Sequence, residues 1–122
     1  AWNNLGNARR AGEDLEGAFA DYTRAVELKP EFADAWHNRG ITLWRMGERD
    51  KAVVDYTRAL ELDPKFLWAL INRGVARKAG GDLKGAVDDW ERFLELAPGH
   101  PKAPAVRAEI REMQNLPSHS EK

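Results

Sequence analysis

The sequence predicts an all-α chain, folded as a stack of helical hairpins. Three observations predict it: a recurrence of 34 residues, a helical apolar period inside each recurrence, and glycine or proline at every break. Pro30, Pro64 and Pro98 stand 34 apart, as do Gly6, Gly40 and Gly74, and Ala18, Ala52 and Ala86. Asn4, Asn38 and Asn72 keep the same interval, with Asp21, Asp55 and Asp89 and with Arg24, Arg58 and Arg92. Residues 1–32 equal residues 35–66 at 14 of 32 places, more than chance places in one register. A repeat of this length marks a unit that buries its apolar face only against its neighbours.

Taken in order, unit one predicts helices near 1–11 and 15–28. In unit two, Ala35, Trp36, Arg39, Gly40 and Leu43 share one face of a helix at about 33–46. Gly47 ends it, because glycine tolerates the left-handed backbone of a helix terminus. Ala52, Val53, Tyr56, Ala59, Leu60 and Leu62 stripe a second helix at about 49–62. Asp63-Pro64 stops that one, since proline lacks a donor and restricts the residue before it. Unit three predicts helices near 67–79 and 83–96. The small residues at 40 and 52 let the two helices of a hairpin approach closely, with the aromatic at 22, 56 or 90 filling the space beside them. After Gly99-His100-Pro101, Val106, Ile110 and Met113 give a segment at about 102–114 an apolar side, as in a capping helix over the last hairpin. The repeats and cap read as one domain over 1–114. Residues 115–122 carry no period and are expected to be disordered.

The spacing resembles the tetratricopeptide repeat (TPR) family. Unit two supplies Trp36, Gly40, Ala52, Tyr56, Ala59 and Pro64 at the family's characteristic places. Unit one supplies Trp2, Leu5-Gly6, Ala18, Tyr22, Ala25 and Pro30, and lacks the first two places. Unit three supplies Gly74, Ala86, Trp90 and Pro98, and departs at Leu70 and Phe93. The resemblance implies a right-handed solenoid of antiparallel helix pairs whose first helices line a concave groove. It also implies a protein-interaction module that holds a peptide or protein segment there. The family's groove places fall on Asn3, Asn4, Asn7, Arg10 and Ala11, on Asp34, His37, Asn38, Ile41, Trp44 and Arg45, and on Trp68, Ile71, Asn72, Val75, Lys78 and Ala79.

Of these, Trp44, Trp68, Ile41, Ile71 and Val75 form an expected exposed apolar patch, the kind of surface that receives a partner. Asn4, Asn38 and Asn72 form an expected amide ladder, able to donate to and accept from an extended peptide backbone. The alternative for these amides is to bridge neighbouring helices. Trp2, Trp36, Tyr22, Tyr56 and Trp90 lie on the core stripe and are expected to pack inside. A TPR subclass that clamps the acidic tails of heat-shock chaperones needs two Asn and three cations. Here Asn7 and Asn38 stand at the Asn places, but Asn3, Trp68 and Asn72 stand at the cation places. The resemblance therefore implies no chaperone-tail clamp, because its main attraction is missing.

Composition narrows the remaining classes. The net charge is −1, so the basic excess of a nucleic-acid surface is absent. No run of 18 apolar residues suits a membrane span and no leader-like segment opens the chain, which favours a soluble, cytoplasmic location while leaving the compartment open. With no cysteine there is neither a disulfide nor a thiolate metal site. The only serines are Ser118 and Ser120, and His37, His100 and His119 lack ligand spacing, so no enzyme, cofactor or metal is expected. Glu13-Asp14 and Asp88-Asp89 point apart on a helix, and Gly80-Gly81 is a turn without the Gly-Lys-Ser/Thr of a phosphate loop. Asp21, Asp55 and Asp89 precede Arg24, Arg58 and Arg92 by three residues, which predicts surface ion pairs. A second functional reading is a scaffold that forms homo-oligomers through the ends of the repeat stack.

Overall fold

The computed structural model describes residues 1–115. Among them are seven helices and no strand: α1 (Trp2–Ala11), α2 (Leu15–Leu28), α3 (Ala33–Arg45), α4 (Arg49–Leu62), α5 (Leu67–Ala79), α6 (Leu83–Leu96) and α7 (Ala103–Gln114). The first six lie where the apolar period puts them, to within a residue. Consecutive helices pack along the whole chain, and the first helices of successive hairpins also touch, α1 on α3 and α3 on α5. The result is an all-α solenoid with α1, α3 and α5 side by side. α7 packs on α6, where Ala103, Val106, Ile110 and Met113 join Trp90 and Phe93 in the largest apolar cluster. Asn115, counted with the tail in the sequence, closes α7 by donating its backbone N–H to Arg111 O. The rest of that expected disordered segment, 116–122, lies outside the described residues.

The three hairpin turns share one backbone device. The second residue after each first helix takes a left-handed conformation: Glu13 at φ 67°, Gly47 at 84° and Gly81 at 88°. The next N–H then reaches back to a carbonyl five residues earlier, Asp14 to Arg9, Glu48 to Leu43 and Asp82 to Arg77, each at 2.8 Å. Glycine adopts this conformation without penalty, whereas Glu13 bears a cost of roughly 1 kcal/mol. Its carboxylate accepts a bond from Arg45 Nη2 at 2.7 Å, tying the first turn to α3. Asp14 and Asp82 cap α2 and α6 by accepting from the N–H of Gly17 and Gly85. At the other end of each hairpin, Lys29, Asp63 and Ala97 are pulled to φ of −142°, −140° and −145°. Each precedes a proline, which disfavours the helical region for its neighbour.

Each hairpin closes on a glycine facing an aromatic ring. A Cβ on Gly6 or Gly40 would lie 2.7 Å from the ring of Tyr22 or Tyr56, and one on Gly74 would lie 2.2 Å from Trp90 Nε1. Tyr22 and Tyr56 are among the most completely buried side chains. This is the close approach that the 34-residue glycine series predicts. Trp2 departs from its predicted core position and is exposed. Its counterpart Trp36 is half-buried against the cores on either side of it and donates its indole N–H to Pro30 O at 2.8 Å. Ala25 and Val26 of the hairpin before it help to build the site of Trp36.

The aspartate series also departs from expectation. Asp21, Asp55 and Asp89 are buried, while Arg24, Arg58 and Arg92 stay on the surface and reach Glu27, Glu61 and Glu95 instead. The partners of Asp55 and Asp89 come from the other helix of the hairpin. Arg39 holds Asp55 with two bonds of 2.7 and 3.0 Å, and Arg73 holds Asp89 at 2.9 and 2.6 Å. The third nitrogen of each guanidinium donates to a threonine hydroxyl of the preceding unit, Arg39 to Thr23 at 3.3 Å and Arg73 to Thr57 at 3.2 Å. One planar cation thus links three helices in two repeats, a use to which its fixed fork of donors is suited. In unit one Leu5 takes the place of this arginine, and Asp21 has Arg9 Nε 2.9 Å from its Oδ2. That approach lacks hydrogen-bond alignment, so Asp21 Oδ2 is buried without a hydrogen-bond partner.

Candidate functional site

The first helices present two kinds of surface to the concave side. Between α1, α3 and α5 the surface is closed by polar rungs. Asn38 Nδ2 donates to Asn3 Oδ1 at 3.0 Å, and Asn72 Nδ2 donates to His37 Nε2 at 3.0 Å. Each rung joins residues 35 apart, one helix to the next. The rung that would follow falls on Ile71 and Val106, which carry no polar group. α7 also stands off α5: no Cα pair between them lies within 8 Å, although α3 and α5 do meet at that distance. The gap is a cleft of about 400 Å³. Trp68, Ile71, Asn72, Val75 and Lys78 of α5 line one wall, Lys102, Ala105, Val106 and Glu109 the other, and Trp90 the back.

The cleft is apolar in its floor and charged at its ends. Trp68 and Val75 remain 44% and 40% exposed although they are large apolar side chains. The indole of Trp68 meets the His100 ring at near right angles, centroids 5.7 Å apart, and that ring also meets Phe93. At one end Lys78 Nζ bonds Glu109 Oε1 at 2.6 Å, and that bond pushes the Lys78 pKa up, keeping it charged. At the other end stands Lys102, which is exposed and has no ion-pair partner among the described residues. Asn72 Nδ2 is committed to His37, while its Oδ1 accepts no bond from the described protein.

The expected site residues divide accordingly. Trp68, Ile71, Asn72, Val75 and Lys78 come together in the cleft. Ile41 and Trp44 do not join them: both are half-buried, packed against Leu43, Ala52, Tyr56 and Ala76. The expected patch of five exposed apolar groups is therefore smaller and lies nearer the C-terminal end. The continuous amide ladder is also corrected. Asn4 is exposed and unbonded, whereas Asn38 and Asn72 bridge helices, as the alternative reading had it. Asn7 accepts from the Tyr22 hydroxyl, and Arg45 is paired with Glu13. Lys102, Ala105, Val106 and Glu109 were absent from the sequence-derived set. Val106 was legible only as part of the apolar side of α7, which it is, while also flooring the cleft.

His37 is likewise corrected from a groove-facing position to a buried one, 6% exposed. The contact of α3 with α5 covers it: its ring packs on Phe66 at 4.7 Å and Tyr56 at 5.7 Å. Desolvation, helped by the charge of Arg10 and opposed by a backbone hydrogen bond at Trp68, lowers its pKa to about 4. Above pH 6.5 both folded and unfolded chains hold it neutral. As the pH falls from 6.5 towards 4 the unfolded chain takes up a proton that the folded one refuses. Stability is lost across that window, by about 3 kcal/mol in total. Urea unfolding of the wild type between pH 7 and pH 4.5 is expected to show this loss, and His37→Leu to show a shallower slope. Parallel slopes would refute the buried neutral imidazole.

A tetratricopeptide repeat model matches residues 33–66, a second matches 68–100, and a TPR repeat model matches 6–47. Together they span almost all of the three hairpins. The chain belongs to the tetratricopeptide repeat family. Solved structures of TPR domains superpose closely. The first TPR of Spaghetti (RPAP3), bound to the HSP90 peptide SRMEEVD, aligns with a TM-score of 0.86 at 26% identity over 93% of this chain and 87% of that one. The TPR domain of Arabidopsis OM64 aligns with 0.85 at 28% identity, over 91% and 92%. The second TPR domain of human RPAP3, in complex with the HSP70 peptide SGPTIEEVD, aligns with 0.83 at 29% identity, over 90% and 92%. No curated protein matches the sequence. Among the described residues of this TPR chain no helix is long and apolar enough to cross a membrane, and no three His, Cys, Asp or Glu side chains group as metal ligands.

Proposed function

We propose that this TPR chain is a protein-interaction module that seats a peptide segment in the cleft between α5 and α7. The observation that carries this reading is the apolar floor left open there, with Trp68 and Val75 in solvent beside the free Asn72 Oδ1. Elsewhere along the concave side, polar rungs between adjacent first helices occupy the same register. Two structural neighbours hold chaperone peptides, which supports peptide binding as the use of this fold. The chaperone clamp itself is not proposed: Asn3, Trp68 and Asn72 replace its cations, and Asn38 and Asn3 bond each other. No catalytic role, cofactor or nucleic acid enters the reading. Peptides selected against the intact chain are expected to lose roughly 30-fold or more in affinity with Trp68→Ala, as for a central aromatic anchor. Unchanged affinity, with unchanged helicity, would remove the cleft from the mechanism.

A second reading is self-association through the ends of the repeat stack, here the face formed by α1 and α2. Leu28 is 64% exposed there, and Trp2 and Leu28 flank an apolar hollow of about 230 Å³ floored by Ala25 and Phe32. This is the face that a preceding hairpin covers in units two and three. Sedimentation across a concentration series separates the readings: association that Leu28→Glu abolishes supports the scaffold, and a monomer throughout removes it.

A further inference from the structure

The chemistry of the two cleft walls specifies more than an apolar occupant, and this step rests on the reading of the cleft as a peptide site. Along the solenoid each pair of first helices is joined by a rung of side chains 35 residues apart, Asn3–Asn38 and then His37–Asn72. The third rung, Ile71–Val106, is apolar on both sides and does not close. A rung that is missing between two apolar walls is completed by an apolar side chain, not by an amide or a charge. The polar groups around it are unequally committed. Glu109 is neutralised by Lys78. Asn72 gives one amide N–H to His37, and its Oδ1 accepts no bond from the described residues, so an acceptor is available there. Lys102, at the Trp68 end, is the one lining cation without an ion-pair partner among the described residues.

We propose that the cleft recognises an extended peptide carrying a bulky aliphatic residue with an acidic side chain beside it. The aliphatic group enters between Ile71, Val75 and Val106, against the face of Trp68. The backbone N–H of the peptide donates to Asn72 Oδ1. The acidic side chain lies against Lys102, which supplies the charge complementarity that the ion-paired end does not. A basic residue at that place faces the like charge of Lys102, which has no ion-pair partner among the described residues, and is disfavoured.

Fluorescein-labelled heptapeptides with a central leucine, preceded by aspartate, asparagine or lysine, test this by anisotropy against the intact chain. The aspartate peptide is expected to bind roughly tenfold more tightly than the lysine peptide. Lys102→Glu, an exposed substitution that leaves the helix packing intact, is expected to reverse that order. Replacing the central leucine by alanine is expected to weaken every peptide. If the leucine peptides bind alike whatever the neighbouring charge, the acidic preference is overturned while the apolar cleft stands. If none binds the wild-type chain, both the preference and the site that it rests on fall.

Discussion

Asp89→Ala is expected to destabilise the chain by about 3–5 kcal/mol, the largest effect of any single change considered. Asp89 is buried and receives Arg73 Nε at 2.9 Å, Arg73 Nη2 at 2.6 Å and Arg77 Nη1 at 3.1 Å. Removing it leaves the Arg73 guanidinium, whose side chain is only 16% exposed, without its counter-charge. The same change at Asp55 isolates Arg39 and is expected to cost a similar amount. Arg92→Ala is the control: Arg92 meets Glu95 in solvent at 3.6 Å, and its loss is expected to stay within about 0.5 kcal/mol. Replacing both members, Arg73→Met with Asp89→Leu, is expected to recover most of the loss, since the cost lies in an unpaired buried charge more than in the pair itself. Urea midpoints of the four variants measure this. A large cost at Arg92 with a small one at Asp89 would restore the local pairing suggested by sequence spacing.

Gly74→Ala carries the second large effect, about 3 kcal/mol of destabilisation. In an exposed helix this substitution stabilises by roughly 1 kcal/mol, so the sign itself is diagnostic. The new Cβ would sit 2.2 Å from Trp90 Nε1 and 2.6 Å from Cδ1. The indole has little room to yield, because its N–H donates to Ile71 O at 3.2 Å and its ring lies in the largest core cluster. Gly40→Ala meets the Tyr56 ring at 2.7 Å and is expected to cost less, about 1–2 kcal/mol, as that ring carries no such tether in the hairpin. Gly99→Ala meets nothing within 4 Å and is expected to be nearly neutral. Adding Trp90→Phe to Gly74→Ala is expected to return part of the loss. Denaturant midpoints decide it, and a Gly74→Ala chain as stable as wild type would show that the helices are not held together at this point.

The periodic features were legible because repetition reports the same packing problem three times. The glycine series at 6, 40 and 74 and the aromatics at 22, 56 and 90 fix the hairpin crossing, and the pre-proline residues fix its end. What failed were inferences drawn within a single helix. Pairing Asp55 with Arg58 applies a local rule to an aspartate that faces the other helix of the hairpin. The true partner was visible in principle, since Arg39 and Arg73 also recur 34 apart and each stands 16 residues before its aspartate. His37 lies off the core stripe of α3 and reads as exposed, but the next first helix covers it. Trp2 has the opposite fate, standing at a core place of the repeat and yet exposed. The cleft was half legible: α5 supplied five of its residues through the family's groove places. The α7 wall was hidden because a helix that caps the stack reads only as packing, and its distance from α5 is a tertiary property that no periodicity reports.

The Trp68 indole lies against a bound peptide and Trp90 stands at the back of the cleft, whereas Trp2, Trp36 and Trp44 lie outside it. An amide and indole NMR titration of the intact chain with the aspartate–leucine heptapeptide tests that most directly. The Trp68 indole N–H resonance is expected to shift with the occupancy of the cleft, together with the Val75 and Lys102 amides, while the Trp36 indole, bonded to Pro30 O, stays in place. Shifts confined to Trp2 and the residues around Leu28, with Trp68 unmoved, would contradict the account and locate the binding surface at the N-terminal end.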